Sequence, residues 1–121
     1  MKYTKVNFAQ KFNLFQDHWS PKIIAEMNNY QFKLVKLFGE FVWHSHDETD
    51  EVFIVFEGNL TIEFEDGKVN LASGDMFVVP KGVRHKSSAK KVCKVMVVEP
   101  EGTLKSGDKV AELDAIEEVW I

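Results

Sequence analysis

The sequence predicts an all-β fold, a sandwich or antiparallel barrel with one short helix at its edge. Short apolar runs succeed one another from Ile23 to Glu99, and turn-forming residues punctuate them at close intervals. Helical spacing is clear at only one place, near the start of the chain, where Phe8, Phe12 and Phe15 follow a suitable N-cap residue, Asn7.

After Ser20-Pro21 the pattern changes to strands. Ile23 to Met27 and Tyr30 to Phe38 flank Asn28-Asn29, a pair that tolerates the positive φ angles of a hairpin turn. Glu40 to His46 reads as a further strand behind Gly39, and the acidic loop Asp47 to Asp50 leads into Glu51 to Phe56. Glu57-Gly58-Asn59 turns the chain into Leu60 to Phe64, and Asp66-Gly67 is a strong hairpin signal before Val69 to Leu71. Ser73-Gly74-Asp75 precedes Met76 to Val79, Pro80-Lys81-Gly82 turns again, and Val92 to Glu99 is a late strand. The tail has two readings. Val110, Leu113 and Ile116 fit one face of a helix, whereas Val119-Trp120-Ile121 fits a closing strand.

A chain of 121 residues is expected to form one domain, residues 1–121, large enough to hold a core without covalent staples. Its formal charge of -4 comes with scattered lysines, which argues against a nucleic-acid stripe or a polybasic membrane patch. The first residues lack the apolar run of a signal peptide, and no segment approaches transmembrane length, so a cytoplasmic protein is expected. Cys93 is the sole cysteine, and reads as a small packing residue rather than a nucleophile.

Chemistry concentrates in His44-Ser45-His46-Asp47-Glu48-Thr49-Asp50-Glu51 and in His85. Strand alternation puts His44 and His46 on one side, about 7 Å apart along the backbone, where two imidazoles can converge on one ion. The acidic turn brings the chain back and presents Glu51 beside them, while His85 follows the rigid Pro-Lys-Gly turn. Glu51, Phe53 and Val55 share one face of their strand, and Val52, Ile54 and Phe56 share the other. Both faces are apolar, so the strand is expected to be covered on one side by the barrel interior and on the other by a second sheet or a partner subunit. Asp47, Glu48 and Asp50 read as a solvated turn at the mouth of the cup, and His18 lies apart from the cluster.

These residues resemble the cupins, in particular small single-domain ones, among them cupins likened to mannose-6-phosphate isomerase. The first cupin motif runs glycine, His-x-His, a short spacer, Glu, six residues, Gly. Gly39, His44, His46, Glu51 and Gly58 match it over residues 39–58. The second, Gly, five residues, Pro-x-Gly, two residues, His, is matched by Gly74, Pro80, Gly82 and His85 over residues 74–89. Four residues separate Gly39 from His44 where the pattern usually has five, and Ala89 stands where Asn is common.

The resemblance implies a jelly-roll barrel, a double-stranded β-helix of six to eight antiparallel strands, with a short N-terminal helix. It implies that His44, His46, Glu51 and His85 bind one divalent transition metal, with Fe, Mn, Ni, Co and Zn all compatible. Asp50 is the alternative carboxylate, less favoured because Glu51 keeps the six-residue spacing to Gly58. Strand parity also turns Val42, Phe53 and Val55 inward, giving an apolar cup for a small-molecule ligand. Lys33 and Lys36 fall on opposite faces of their strand, so one of them can point into the cup, but the favoured reading is of edge lysines, and Arg84 is expected to face away from the metal. A homodimer that buries one outer sheet is expected. The functional expectation is a metal-dependent enzyme on a small organic substrate, of isomerase or dioxygenase class. The alternative is a non-catalytic metal or small-ligand binding module.

Overall fold

Asn7 caps a short helix near the start of the chain, its side-chain oxygen accepting from Gln10 N at 2.9 Å, and α1 (Phe8–Phe12) follows. The computed structural model describes residues 2–104 and 119–121, and α1 is the only helix among them. Eight strands make up the rest: β1 (Lys22–Met27), β2 (Tyr30–Glu40), β3 (Glu51–Glu57), β4 (Asn59–Phe64), β5 (Gly67–Ala72), β6 (Met76–Val79), β7 (His85–Pro100) and β8 (Val119–Trp120). No helix among the described residues is long and apolar enough to cross a membrane.

Strand β7 is the spine. One edge pairs antiparallel with β2 from Pro100 to Ser88. Its other edge is shared: β4 pairs with the His85–Ser88 end and β3 with the Lys94–Val98 stretch. β4 continues into its hairpin partner β5, β6 pairs with β3, and β1 flanks β2. This is a jelly roll whose sheet does not close into a full barrel. One pairing departs from the antiparallel expectation, since β8 lies parallel to β1. That favours the strand reading for Val119-Trp120, while Val110, Leu113 and Ile116 lie outside the described residues.

Alternation along β2 and β7 divides the apolar residues between two cores. Val35, Leu37, Val95 and Val97 face inward and pack with Phe53, Val55, Leu60 and Ile62. Leu34 and Met96 face outward and pack with Ile24, Phe12 and Phe15. Each such side chain contributes about 1.5–3 kcal/mol when fully buried. The outer face of β3 joins this second cluster. Phe56 meets Phe8 and Phe12 with ring centroids 4.7 and 5.8 Å apart, and Ile54 packs nearby. The two-sided apolar character of β3 is therefore met largely by α1 from the same chain, and gives no separate reason for a partner subunit.

Several sequence expectations are corrected. Glu40 to His46 is not a strand beyond Glu40. Gly39 takes φ +82°, the β2–β7 register shifts between Leu37 and Gly39, and residues 41–43 leave the ladder. Strand β7 begins at His85, well before Val92. Lys33 and Lys36 are not edge lysines, because β2 lies between β1 and β7 and both side chains are buried. Lys36 Nζ donates to Phe15 O at 2.7 Å on the outer face, whereas Lys33 points into the interior with Val35 and Leu37.

Gly58 is the most closely hemmed of the described glycines. It has φ +96°, and a Cβ there would sit 3.1 Å from both Cys93 Cα and Val92 O. Gly74 has a similar φ of +94° with open space around it. Gly74→Ala should cost about 1–2 kcal/mol from backbone strain alone. Gly58→Ala should cost measurably more in denaturant unfolding, because the backbone of β7 must also move. Equal losses at the two positions would contradict this account of Gly58.

Candidate metal centre

The segment leading to the site is held by a few well-placed backbone bonds rather than by a regular strand. His44 N donates to His85 O at 2.9 Å and His85 N donates to His44 O at 2.8 Å, an isolated antiparallel bridge. Phe41 N donates to Ser87 O and Gly82 N to His46 O, each at 2.9 Å, on either side of it. The bridge puts the His44 and His85 rings side by side, with centroids 4.3 Å apart, and the His46 ring 5.0 Å from that of His44. Glu51 enters from the first position of β3, paired with Val79 of β6.

Four ligand-type atoms, one from each of His44, His46, Glu51 and His85, lie within 4.8 Å of one another. All four residues are buried, with His85 fully so. Among the described residues this is the one group that could hold a metal ion. The site thus brings together every residue the sequence nominated for it. Asp50 is elsewhere: its exposed carboxylate accepts from Lys81 N at 2.8 Å and caps the Pro-Lys-Gly turn. Asp47 and Glu48 are exposed, as a solvated turn would be. His18 packs against Phe38, and Arg84 lies over Trp43, with its guanidinium 5.4 Å from the ring centroid, outside the cup.

The tautomers suit a cation. The Nδ1 atoms of His44 and His85 lie 2.8 Å from Val42 O and 3.0 Å from Val83 O, and a carbonyl can only accept. Each Nδ1 therefore carries the proton, leaving a lone pair on Nε2. Glu51 Oε1 is 3.3 Å from His46 Nε2 and 3.5 Å from His85 Nε2. Yet Glu51 Oε1 and His85 Nε2 are buried without a hydrogen-bond partner. Lone pairs gathered in a dry site repel one another unless a proton or a metal ion lies between them. The donor set and these orphaned atoms fit a divalent transition metal.

Burial pushes the His44 imidazole down to about 4, against the opposing pull of Val42 O, so the ring is neutral at physiological pH and free to ligate. Burial works the other way on Glu51, but His46 and then His85 outweigh it and hold this carboxyl well below the usual range. Burial raises the Cys93 thiol to about 11, helped by the Glu57 charge, in keeping with a packing role.

Two residues beside the site were not nominated for it from the sequence. Glu99, near the end of β7, is buried on the inward face, and its Oε1 accepts from Lys33 Nζ at 2.9 Å. Burial and then the Glu51 charge raise the Glu99 carboxyl well above the carboxylate range, with Lys33 opposing. The available signal was parity. Lys33 shares a face with Val35 and Leu37, and Glu99 with Val95 and Val97, so charges of opposite sign fall at inward positions of adjacent strands.

A cavity of about 50 Å³ adjoins the donor atoms, with His44, Glu51, Ser87 and Glu99 on its polar side. Trp19, Phe41 and Phe53 are among its apolar walls. Phe41, rather than the expected Val42, lines it, because the chain is irregular there. Trp19 was also unforeseen. It holds φ +57°, rare for a bulky residue, fixed by Trp19 N donating to Lys36 O and Nε1 donating to Phe38 O, both at 2.9 Å. Its ring stacks on Phe41 with centroids 4.9 Å apart.

Comparison with known proteins agrees with this geometry. The chain is 40% identical over 65 residues to the uncharacterized protein YdbB of Bacillus subtilis, a match covering 53% of this chain and 58% of YdbB. The chain thus spans little more than half the length of that curated relative. It is similar to the crystal structure of a cupin-2 domain containing protein from Shewanella frigidimarina, with 61% identity and a TM-score of 0.79, covering 79% of this chain and 94% of that one. It is also similar to a crystal structure from Neisseria meningitidis, with 33% identity and a TM-score of 0.74, covering 81% of this chain and all of the other. The family model described as a cupin domain matches residues 35–99, over half of the chain. With the jelly roll and the His, His, Glu, His group in place, the chain belongs to the cupins.

Proposed function

We propose that this cupin is a metal-dependent enzyme acting on a small, uncharged organic molecule, with His44, His46, Glu51 and His85 as ligands to one divalent transition metal. The observation that carries the reading is the set of four buried donor atoms, within 4.8 Å of one another, two of whose residues, His44 and Glu51, line a cavity. Purely structural metal sites are closed, whereas sites that do chemistry keep a position open. When bound, the metal supplies Lewis-acid polarisation of a substrate oxygen or activation of dioxygen, which leaves isomerase and dioxygenase as the leading classes.

The residues around the donors do the rest. The His44 and His85 rings are held in one orientation by Val42 O and Val83 O, so the ligand atoms need no reorganisation on loading. Phe53, Phe41 and Trp19 exclude water from the cup and offer flat apolar walls to the organic part of a substrate. Among the described residues no arginine or lysine lines the cavity, and Lys33 is engaged by Glu99, so none of them offers a side-chain cation to grip a phosphorylated substrate. The reading takes the protein to be a single cytoplasmic domain over residues 1–121.

Metal uptake tests the site. Protein purified without chelator should take up one equivalent of a divalent transition metal, and its Tm should rise as that metal saturates. His46→Ala should abolish stoichiometric uptake while leaving a folded jelly roll, because the inner core stands on Phe53, Val55, Leu60 and Ile62 without it. Unfolding of the metal-free variant at ordinary temperature would instead make the ion structural. Turnover of a small neutral substrate should vanish on chelation and return with one metal. A tightly bound organic molecule that is never turned over in the metal-loaded protein would favour the binding-module alternative.

A further inference from the structure

We propose that Glu99, anchored by Lys33, is the positioning residue for Glu51, so that the centre is built as a chain running Lys33, Glu99, Glu51, metal. The inference rests on the metal reading above and adds two residues that lie outside the ligand set and outside both cupin motifs.

The three side chains come from three strands, Lys33 from β2, Glu99 from β7 and Glu51 from β3, and all are nearly inaccessible to solvent, at 0%, 2% and 5%. Lys33 Nζ donates to Glu99 Oε1 at 2.9 Å. The other oxygen of Glu99, Oε2, is buried without a hydrogen-bond partner, and the neighbouring carboxyl group that acts on Glu99 is that of Glu51, which lines the same cavity. Glu51 in turn directs Oε1 at His46 Nε2 and His85 Nε2, 3.3 and 3.5 Å away. A carboxylate ligand is effective only when its free rotation is arrested, and partners behind ligands do this in metal sites generally.

Packing alone does not account for the pair. The faces of β2 and β7 that carry Lys33 and Glu99 are otherwise filled by Val35, Leu37, Val95 and Val97. Two apolar residues would pack there without the desolvation cost of two buried ionisable groups. A Lys–Glu pair in that setting is explained by what its far end touches, and that is the carboxylate ligand.

Cobalt(II) titration of the full-length protein, followed by visible absorption, tests this. The key variant is Lys33→Met with Glu99→Leu, which removes both buried ionisable groups together and should fold with at least the stability of the unaltered protein. Its cobalt affinity should fall about 10- to 100-fold, with a changed absorption envelope as Glu51 loses its support. Glu99→Gln should rescue, since glutamine offers a carbonyl to Lys33 and an N–H to Glu51, and its affinity should stay close to that of the unaltered protein. If the double variant does not fold, Lys33→Met alone decides, since it unanchors Glu99 and should lower affinity in the same direction. Unchanged affinity and spectrum in the folded double variant, or in Lys33→Met where that one decides, would overturn the inference, as would a loss in Glu99→Gln equal to that of the variant it should rescue. Failure of the unaltered protein to bind cobalt or any other divalent transition metal would overturn the metal reading itself, a separate and recognisable outcome.

Discussion

The reciprocal pair of backbone hydrogen bonds between His44 and His85 is the contact on which the site depends. The two residues belong to segments forty positions apart in a chain that is otherwise irregular from Phe41 to Asp50. An antiparallel bridge that exchanges both N–H···O bonds places its two side chains on the same face and at fixed spacing. Here that face is the interior, and the consequence is two imidazoles with ring centroids 4.3 Å apart. His46 follows by alternation, and Gly82 N on His46 O keeps that residue from swinging out with the acidic turn. One bridge and its flanking bonds thus do for the site what a full strand would do for a sheet.

Burial sets the electrostatic character of the centre. In water, three imidazoles and a carboxylate would be solvated separately, with little consequence. In the jelly-roll interior they are pressed together with their lone pairs facing inward, beside a cavity walled in part by Phe53 and Phe41. The protein answers this in layers. Backbone carbonyls of Val42 and Val83 choose the tautomers of two histidines, and the histidines hold Glu51 ionised. Glu99 and Lys33 stand behind Glu51 from the neighbouring strands. Such an arrangement costs stability in the metal-free chain, and the large apolar clusters on both faces of β7 offset it.

Much of this was legible in the sequence, because the motif residues are the ones with rigid local demands. The hairpin at Asn28-Asn29 carries its own φ requirement, with Asn28 at φ +55°, and Asp66-Gly67 marks the turn from β4 into β5. Glycine at 58 was readable as punctuation, and the structure adds that a side chain there would strike the backbone of Cys93. What the sequence concealed has a common cause. Local patterns do not report pairing between distant strands, so a lysine in β2 and a glutamate in β7 look like surface charges until the register sets Lys33 opposite Val97, two residues from Glu99. The same ignorance of pairing made Glu40 to His46 look like a strand and started the last long strand seven residues late. The cover of β3 by α1 was hidden as well, since nothing local says where a short helix docks.

The central claim is that the four donors bind one metal ion, and anomalous diffraction at transition-metal absorption edges tests it most directly. Crystals of protein purified without chelator, or soaked in the metal that raises Tm most, should show a single strong anomalous peak. It should touch Nε2 of His44, His46 and His85 and a carboxylate oxygen of Glu51, and it should disappear in His46→Ala. The absence of any peak at these atoms after soaking, or peaks only at the exposed carboxylates of Asp47 and Glu48, would contradict the account.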